Sequence, residues 1–398
     1  MTEPRPWTTR EDVIARLERL WSSGRLLAAA IGGEPVLPLR VSVRGPRPAE
    51  WGERFEEVKR WIRELDEGTR ARRGWGYDLE WTEVKNRVVG AQRIPTSITI
   101  PTEGDAWKLL RKLREVESFR SLAETTLAVF PELRAWLARW PLAVLEHASD
   151  WERVLSVLRW FRANPRPGLY LRQLDIPGVD TKFIETHRGL LGQLLDLVLP
   201  EAAIDVASTG AAAFERRYGL RTRPVLVRLR ILDPRLRIQG LSDLTVPVEE
   251  LRSLALPAAR VFVTENEVNG LAFPDLPDAI VIFGLGYGLD RLEELGWLTE
   301  RKLYYWGDID THGFAILAKL RKSFPGAASI LMDRKTLVSH RPLWVREKEP
   351  FLGDLTGLTE AEQALYDDLR WDRLGPGVRL EQERIGFLWV SRALQEAT

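Results

Sequence analysis

Apolar residues from Arg260 onward fall in short unbroken runs, each followed by a turn and a stretch of helical periodicity. The runs are Val261-Phe-Val263, Ala279-Ile-Val-Ile-Phe283, Leu303-Tyr-Tyr-Trp306 and Ser329-Ile-Leu-Met332. Between them lie Gly284-Leu-Gly-Tyr-Gly288 with a helical stretch through Trp297, and an amphipathic stretch opening at Thr311. That stretch carries a helix from Phe314 to Phe324, closed by Pro325-Gly326. Strand and helix alternating in this way predict a parallel sheet with crossover helices. In such sheets chemistry gathers beyond the carboxyl ends of the strands.

The rest of the chain reads differently. Trp7 to Leu27 predicts an amphipathic helix capped by Thr8 or Thr9 and stopped by Gly24. An extended, Pro-rich stretch from Pro35 to Pro48 follows, then a helix from Trp51 to Glu67 and an Arg/Gly-rich turn. Strands are expected at Tyr77–Trp81 and Ser97–Ile100, and helices run from Ala106 to Ala163. Pro165-Arg-Pro-Gly168 is the best linker signal. Beyond it come a helix His187–Leu199, a strand Val225–Leu232 and a turn at Asp233-Pro234; helices near Leu358–Leu369 complete the C-terminal part. The expected organisation is a multidomain α/β protein: a mixed α/β N-terminal domain at 1–163, a middle module at 164–254, and a catalytic α/β domain with C-terminal helices at 255–398.

Composition narrows the chemistry. The 398 residues contain no cysteine, which excludes disulfides, thiolate metal sites and a cysteine nucleophile. Four histidines, His147, His187, His312 and His340, are too few for a histidine-rich zinc site, so any metal must be held mainly by oxygen. No apolar run approaches a membrane span, and the expected location is the cytoplasm. No Gly-x-x-x-x-Gly-Lys-Ser/Thr run is present, so the chain is not a P-loop ATPase. The glycines of 284–288 have the wrong spacing for a dinucleotide fingerprint and suit a sharp strand-to-helix turn.

The apolar run at Leu303–Trp306 ends in Gly307, and Asp308 and Asp310 follow. In near-extended backbone, residues two apart point the same way, so both carboxylates converge beyond the strand end. Their repulsion is relieved by a hard divalent cation such as Mg²⁺. The alternative is a helix N-cap at Asp310 or Thr311, with Asp308 a solvated turn residue. Glu265 sits directly at the end of the Arg260 run, and Glu267 two residues on is placed as a first-turn helix residue favoured by the macrodipole.

The order apolar strand-Glu265, Gly-x-Gly-Tyr287, apolar strand-Asp308-x-Asp310-x-His312-Gly resembles a Toprim domain. It is most similar to that of the topoisomerase VI A subunit and its meiotic double-strand-break relatives. More of the chain resembles the JetD nuclease family of the bacterial Wadjet plasmid-defence system. The stretches are Tyr170–Glu185, Arg228–Pro234, Tyr305–Asp310, Ser329–Asp333 and Leu380–Ile385, with Trp7, Trp21–Gly24 and Trp140–Leu142 in the N-terminal part. The resemblance implies a winged-helix (CAP-like) middle module and a Toprim domain with a central parallel sheet. It implies Glu265, Asp308 and Asp310 as catalytic ligands of Mg²⁺ or Mn²⁺. His312 stands where some Toprim domains carry a third carboxylate, either touching phosphate or a metal-bound water, or capping and packing the helix start. The implied activity is cleavage of double-stranded closed circular DNA by a homodimer working with a condensin-like SMC ATPase complex of JetABC type. The rivals are a non-cleaving DNA-binding adaptor and a type IIB topoisomerase-like subunit.

Tyr170 begins the middle module, but the tyrosine motif of the topoisomerases is not recognisable around it. A buried or capping tyrosine is expected, with water as nucleophile. Basic residues cluster in the middle module, and Lys182, Arg188, Arg217, Arg221 and Arg228 are the candidate phosphate contacts. The competing reading pairs several of that cluster with Glu185, Glu215 and Asp233. The sixteen tryptophans are expected in cores rather than as stacking platforms.

Overall fold

Thr9 opens the first helix, Arg10–Ser22, through a reciprocal capping box with Asp12. Gly24, at φ +75°, breaks it, because a left-handed residue cannot continue a right-handed helix. The computed structural model describes residues 7–47, 50–86, 90–254, 256–284 and 288–396. They form two compact units, Met1–Thr222 and Arg223–Thr398.

In the first unit, β1 (Leu39–Ser42), β2 (Asp78–Asn86) and β3 (Gly90–Ile100) form an antiparallel sheet in the order β1-β3-β2. Its buried face, Ile98 and Ile100, packs with Val13, Leu17, Trp61 and Tyr77. A second core gathers the helices Leu113–Val129, Trp151–Ala163 and Arg188–Val198 around Phe119, Trp151, Phe161 and Leu195. Trp61, Trp107, Trp136 and Trp151 are core residues, whereas Trp140 is exposed. Trp151 donates its indole N–H to Thr126 Oγ1 at 2.8 Å, which satisfies the one polar atom the ring takes inside.

The second unit is mixed α/β around one six-stranded sheet. Its strands are β4 (Leu226–Ile231), β5 (Asp243–Pro247), β6 (Arg260–Thr264), β7 (Ala279–Phe283), β8 (Lys302–Trp306) and β9 (Ala328–Ser329), in the order β5-β4-β7-β6-β8-β9. β7, β6, β8 and β9 are parallel, and β4 and β5 form an antiparallel edge. Ile280, Val281, Ile282 and Phe283 are all at most 1% exposed, because helices and turns cover both faces of the sheet. Each such side chain contributes about 1.5–3 kcal/mol.

Two expectations change. The strand expected in the middle module is β4, and Val227, Leu229 and Ile231 bury themselves in the same core as β6 and β7. The two compact units meet at Thr222/Arg223. Of the run Ser329–Met332 only Ser329 lies in β9, and Leu331 at φ +66° turns the chain away. The Gly284–Gly288 turn cannot be placed, as 285–287 lie outside the described residues.

Candidate active site

Strand order makes the site. β7 lies between β6 and β8 in sequence, but in space β6 is the middle strand, with Thr264 in register with both Phe283 and Trp306. Glu265 therefore leaves the sheet beside Gly307 and Asp308. Parallel strands end at one edge, so the three carboxylates Glu265, Asp308 and Asp310 come together there.

Gly307 and Gly313 are required by close approach. A Cβ at Gly307 would strike the Tyr305 ring, and one at Gly313 would strike the Asp308 carbonyl oxygen. Asp310 caps the helix Thr311–Ser323, its Oδ1 accepting from the Gly313 N–H at 2.7 Å. It is 3% exposed, and burial, with the nearby Glu347 and Asp308 charges, pushes its carboxyl up to about 6 against the Gly313 N–H and Arg379. Glu265 accepts a hydrogen bond from the buried Tyr305 hydroxyl. Burial raises the Glu265 carboxyl above its ordinary range; the Tyr305 hydroxyl opposes this and Asp308 adds to it.

A third segment crosses this edge. Ile309 and Leu380 exchange backbone hydrogen bonds of 2.9 and 3.0 Å. Asp308 Oδ1 accepts from the Gln382 N–H at 2.9 Å, and Asp308 Oδ2 accepts from Arg379 Nη2 at 2.6 Å. Arg379 Nε also lies 3.0 Å from Asp310 Oδ2, though not aligned to donate to it. Burial works against the charged guanidinium, but Asp308, Asp310 and Glu381 outweigh it and hold its pKa above the ordinary value. The Gln382 side chain, 2% exposed, accepts from Thr264 Oγ1 at 2.6 Å and from Asn269 Nδ2 at 3.2 Å, tying the segment back to β6. Buried Glu347 accepts from Thr311 Oγ1 at 2.7 Å beneath the helix start.

Three oxygen donors suit a hard divalent cation in kind. The Arg379 guanidinium, reaching both aspartates, shows that positive charge is stable between them. In this conformation, however, no group of three His, Asp or Glu among the described residues is arranged to hold a metal ion. A metal would need the guanidinium to withdraw.

The remaining candidates separate. Glu267 is exposed and ion-paired with Arg228, away from Tyr305. His312 is exposed, and its Nε2 lies 2.8 Å from the Glu349 carbonyl oxygen, so Nε2 carries the hydrogen and donates it. Of the basic cluster, Arg188 pairs with Glu215, Arg217 with Asp196 at 2.8 Å, and Arg228 with Asp243 at 2.6 Å. Lys182 is exposed, and the exposed Arg221 lies over the Tyr170 ring at 5.9 Å. Tyr170 is exposed rather than buried and opens the short turn Leu171–Gln173, its N–H donating to Gln173 Oε1 at 2.8 Å.

Sequence reasoning missed Arg379, Gln382, Glu347 and Tyr305. The signals were the stretches beginning at Tyr305 and at Leu380, singled out for resemblance with no chemistry given to Tyr305 or Gln382; Glu347 and Arg379 lie outside both.

Fold and site together define a mixed α/β protein with carboxylates collected at the C-terminal edge of a parallel sheet and clasped by an arginine. The C-terminal part of the chain belongs to the JetD family: residues 219–394 match the family described as Wadjet protein JetD, C-terminal. Residues 10–196 match the family described as Uncharacterized protein conserved in bacteria N-term (DUF3322). No curated protein matches the chain.

Proposed function

We propose that this chain is the metal-dependent endonuclease subunit of a Wadjet-type anti-plasmid defence system, cutting both strands of closed circular DNA. The observation that carries this reading is the convergence of Glu265, Asp308 and Asp310 on one edge of the β6–β8 sheet. In this reading the second unit holds a Toprim domain. The helices Thr181–Thr186 and Arg188–Val198 belong to a winged-helix (CAP-like) module.

Glu265, Asp308 and Asp310 would hold Mg²⁺ or Mn²⁺, which when bound supplies an activated water and neutralises charge on the phosphate. Arg379, freed from the aspartates, remains within reach of an anionic substrate. The buried hydroxyl of Tyr305 keeps the Glu265 carboxylate aimed along the edge. The Gln382 side chain fixes the segment that carries Arg379. His312 is held by the Glu349 carbonyl at the mouth of the helix. Cutting two strands calls for two sites, which a two-fold homodimer provides. A condensin-like SMC ATPase complex would deliver the DNA, since this sequence carries no ATPase motif.

One observation favours a second reading. Arg379 already answers Asp308 and Asp310, as it would in a DNA-binding adaptor that does not cut. Incubating supercoiled plasmid with Mg²⁺ or Mn²⁺, with and without the ATPase partners, tests both. Linear product from the wild type and none from Asp310→Asn supports the nuclease. Cleavage undiminished in Asp310→Asn would remove the metal assignment, and no cleavage under any condition would favour the adaptor.

A further inference from the structure

The sequence places the duplex grip in the middle module, where three of the five candidate cations are already ion-paired. The first unit holds a basic groove of about 880 Å³ that no sequence motif marks. Arg10, Arg73, Lys108, Arg111 and Arg114 line it beside Trp75, and Glu117 is the one carboxylate among its described lining residues. Among the described residues none of the five cations is ion-paired with a carboxylate.

Two local features show positive charge held there against backbone preference. Arg10 is the first residue of the helix Arg10–Ser22, where the macrodipole is positive and disfavours a cation. Its Nε is buried with no hydrogen-bond partner. Arg111 ends the helix Glu103–Leu110 at φ +57°, a conformation that glycine adopts far more readily. The cost at Arg10 is relieved by an anion in the groove, and Arg111 keeps its cation there despite the backbone cost. Arg73 is positioned by its own bond to the Glu67 carbonyl oxygen at 2.6 Å and by the Trp75 ring 5.5 Å away.

We infer that this groove binds the phosphate backbone of double-stranded DNA, independently of sequence. The cations come from three separate segments that line one groove, so several side chains are available to contact a phosphate backbone without reading its bases. The choice of DNA among polyanions rests on the nuclease reading; the charge arrangement does not.

Fluorescence anisotropy of a labelled random-sequence duplex, titrated from low to physiological salt, tests the inference on the full chain. The groove variant combines Lys108→Glu, Arg111→Glu and Arg114→Glu, all exposed positions. Its log affinity should lose about 0.9 of salt slope per phosphate contact, and its affinity at physiological salt should fall at least about tenfold. Arg159→Gln, which removes a cation already paired with Glu152 at 2.8 Å, should leave the slope unchanged. An unchanged slope in the groove variant, an equal loss in Arg159→Gln, a wild type that does not bind the duplex, or preference for an acidic peptide would each overturn the inference. Supercoiled-plasmid cleavage by Asp310→Asn, measured alongside the titration, keeps the two readings apart. If Asp310→Asn cleaves normally while the groove variant loses binding, the catalytic assignment falls and the groove stands. If Asp310→Asn loses cleavage while the groove variant binds normally, the reverse holds.

Discussion

Replacing Glu362 by Gln should strip roughly 3 kcal/mol from the second unit at neutral pH. Glu362 lies in the helix Glu360–Arg370 and faces Arg321 in the helix that Asp310 caps, both side chains 8% exposed. Arg321 Nη2 donates to Glu362 Oε1 at 3.0 Å, Ser329 Oγ donates to the same oxygen at 2.6 Å, and the Thr359 N–H reaches Oε2 at 2.8 Å. Burial alone would raise the carboxyl, but the Arg321 guanidinium, the Ser329 hydroxyl and the Thr359 N–H outweigh it and bring it from 4.5 to about 2. That fall corresponds to roughly 3 kcal/mol of preference for the charged form. It agrees with the 3–5 kcal/mol typical of breaking one side of a buried pair. Because the folded value is depressed, the contribution is complete above pH 4.5 and is lost as pH falls toward 2. Urea denaturation, read by hydrogen exchange of peptides covering β6 and β8, isolates this unit from the first. Stability within about 0.5 kcal/mol of wild type at pH 7, or a difference that does not shrink below pH 4.5, would refute the reasoning. The double variant Arg321→Met, Glu362→Met should recover most of the loss, since a well-packed apolar pair needs no counter-charge.

Asp310 gives the opposite pH dependence. Its folded value is raised from 3.8 to about 6, so metal-free stability is full below 3.8 and falls as pH rises through 6. Asp310→Asn should flatten that decline, recovering up to roughly 3 kcal/mol at pH 7, and parallel melting curves from pH 4 to 7 would contradict it. Arg379→Gln removes the internal competitor for Asp308 and Asp310. It should tighten Mn²⁺ binding about tenfold or more by electron paramagnetic resonance titration, and an unaltered Kd would count against the guanidinium as a stand-in cation. Tyr170→Phe should retain plasmid cleavage with free DNA ends; DNA covalently attached to Tyr170 in the wild type would favour the topoisomerase reading.

The buried strands were legible because burial on both faces leaves an unbroken apolar signature, and Ala279–Phe283 was read to the residue. Their lateral order was not, since nothing in Val261–Thr264 distinguishes a middle strand from an outer one. The aspartate pair stood out for its spacing. Arg379 did not, because its partners lie about seventy residues away and its own segment has no periodicity. The same distance problem hid the ion pairs of Arg217 and Arg228, whose carboxylates are 21 and 15 residues away, whereas Glu215, named in the competing reading, is the partner of Arg188. A run of basic residues announces charge, not whether that charge is already answered.

The clasp over Asp308 has a consequence for synthesis. Gln382 is 74 residues beyond Asp308 and 118 beyond Thr264. A chain emerging from the ribosome exposes Glu265 first, the two aspartates next and their arginine last. The sheet edge therefore passes through a stage in which its carboxylates face one another without Arg379, the stage at which they repel most strongly. Docking of the Leu380–Gln382 segment brings Arg379 against Asp308 and Asp310 and relieves that repulsion.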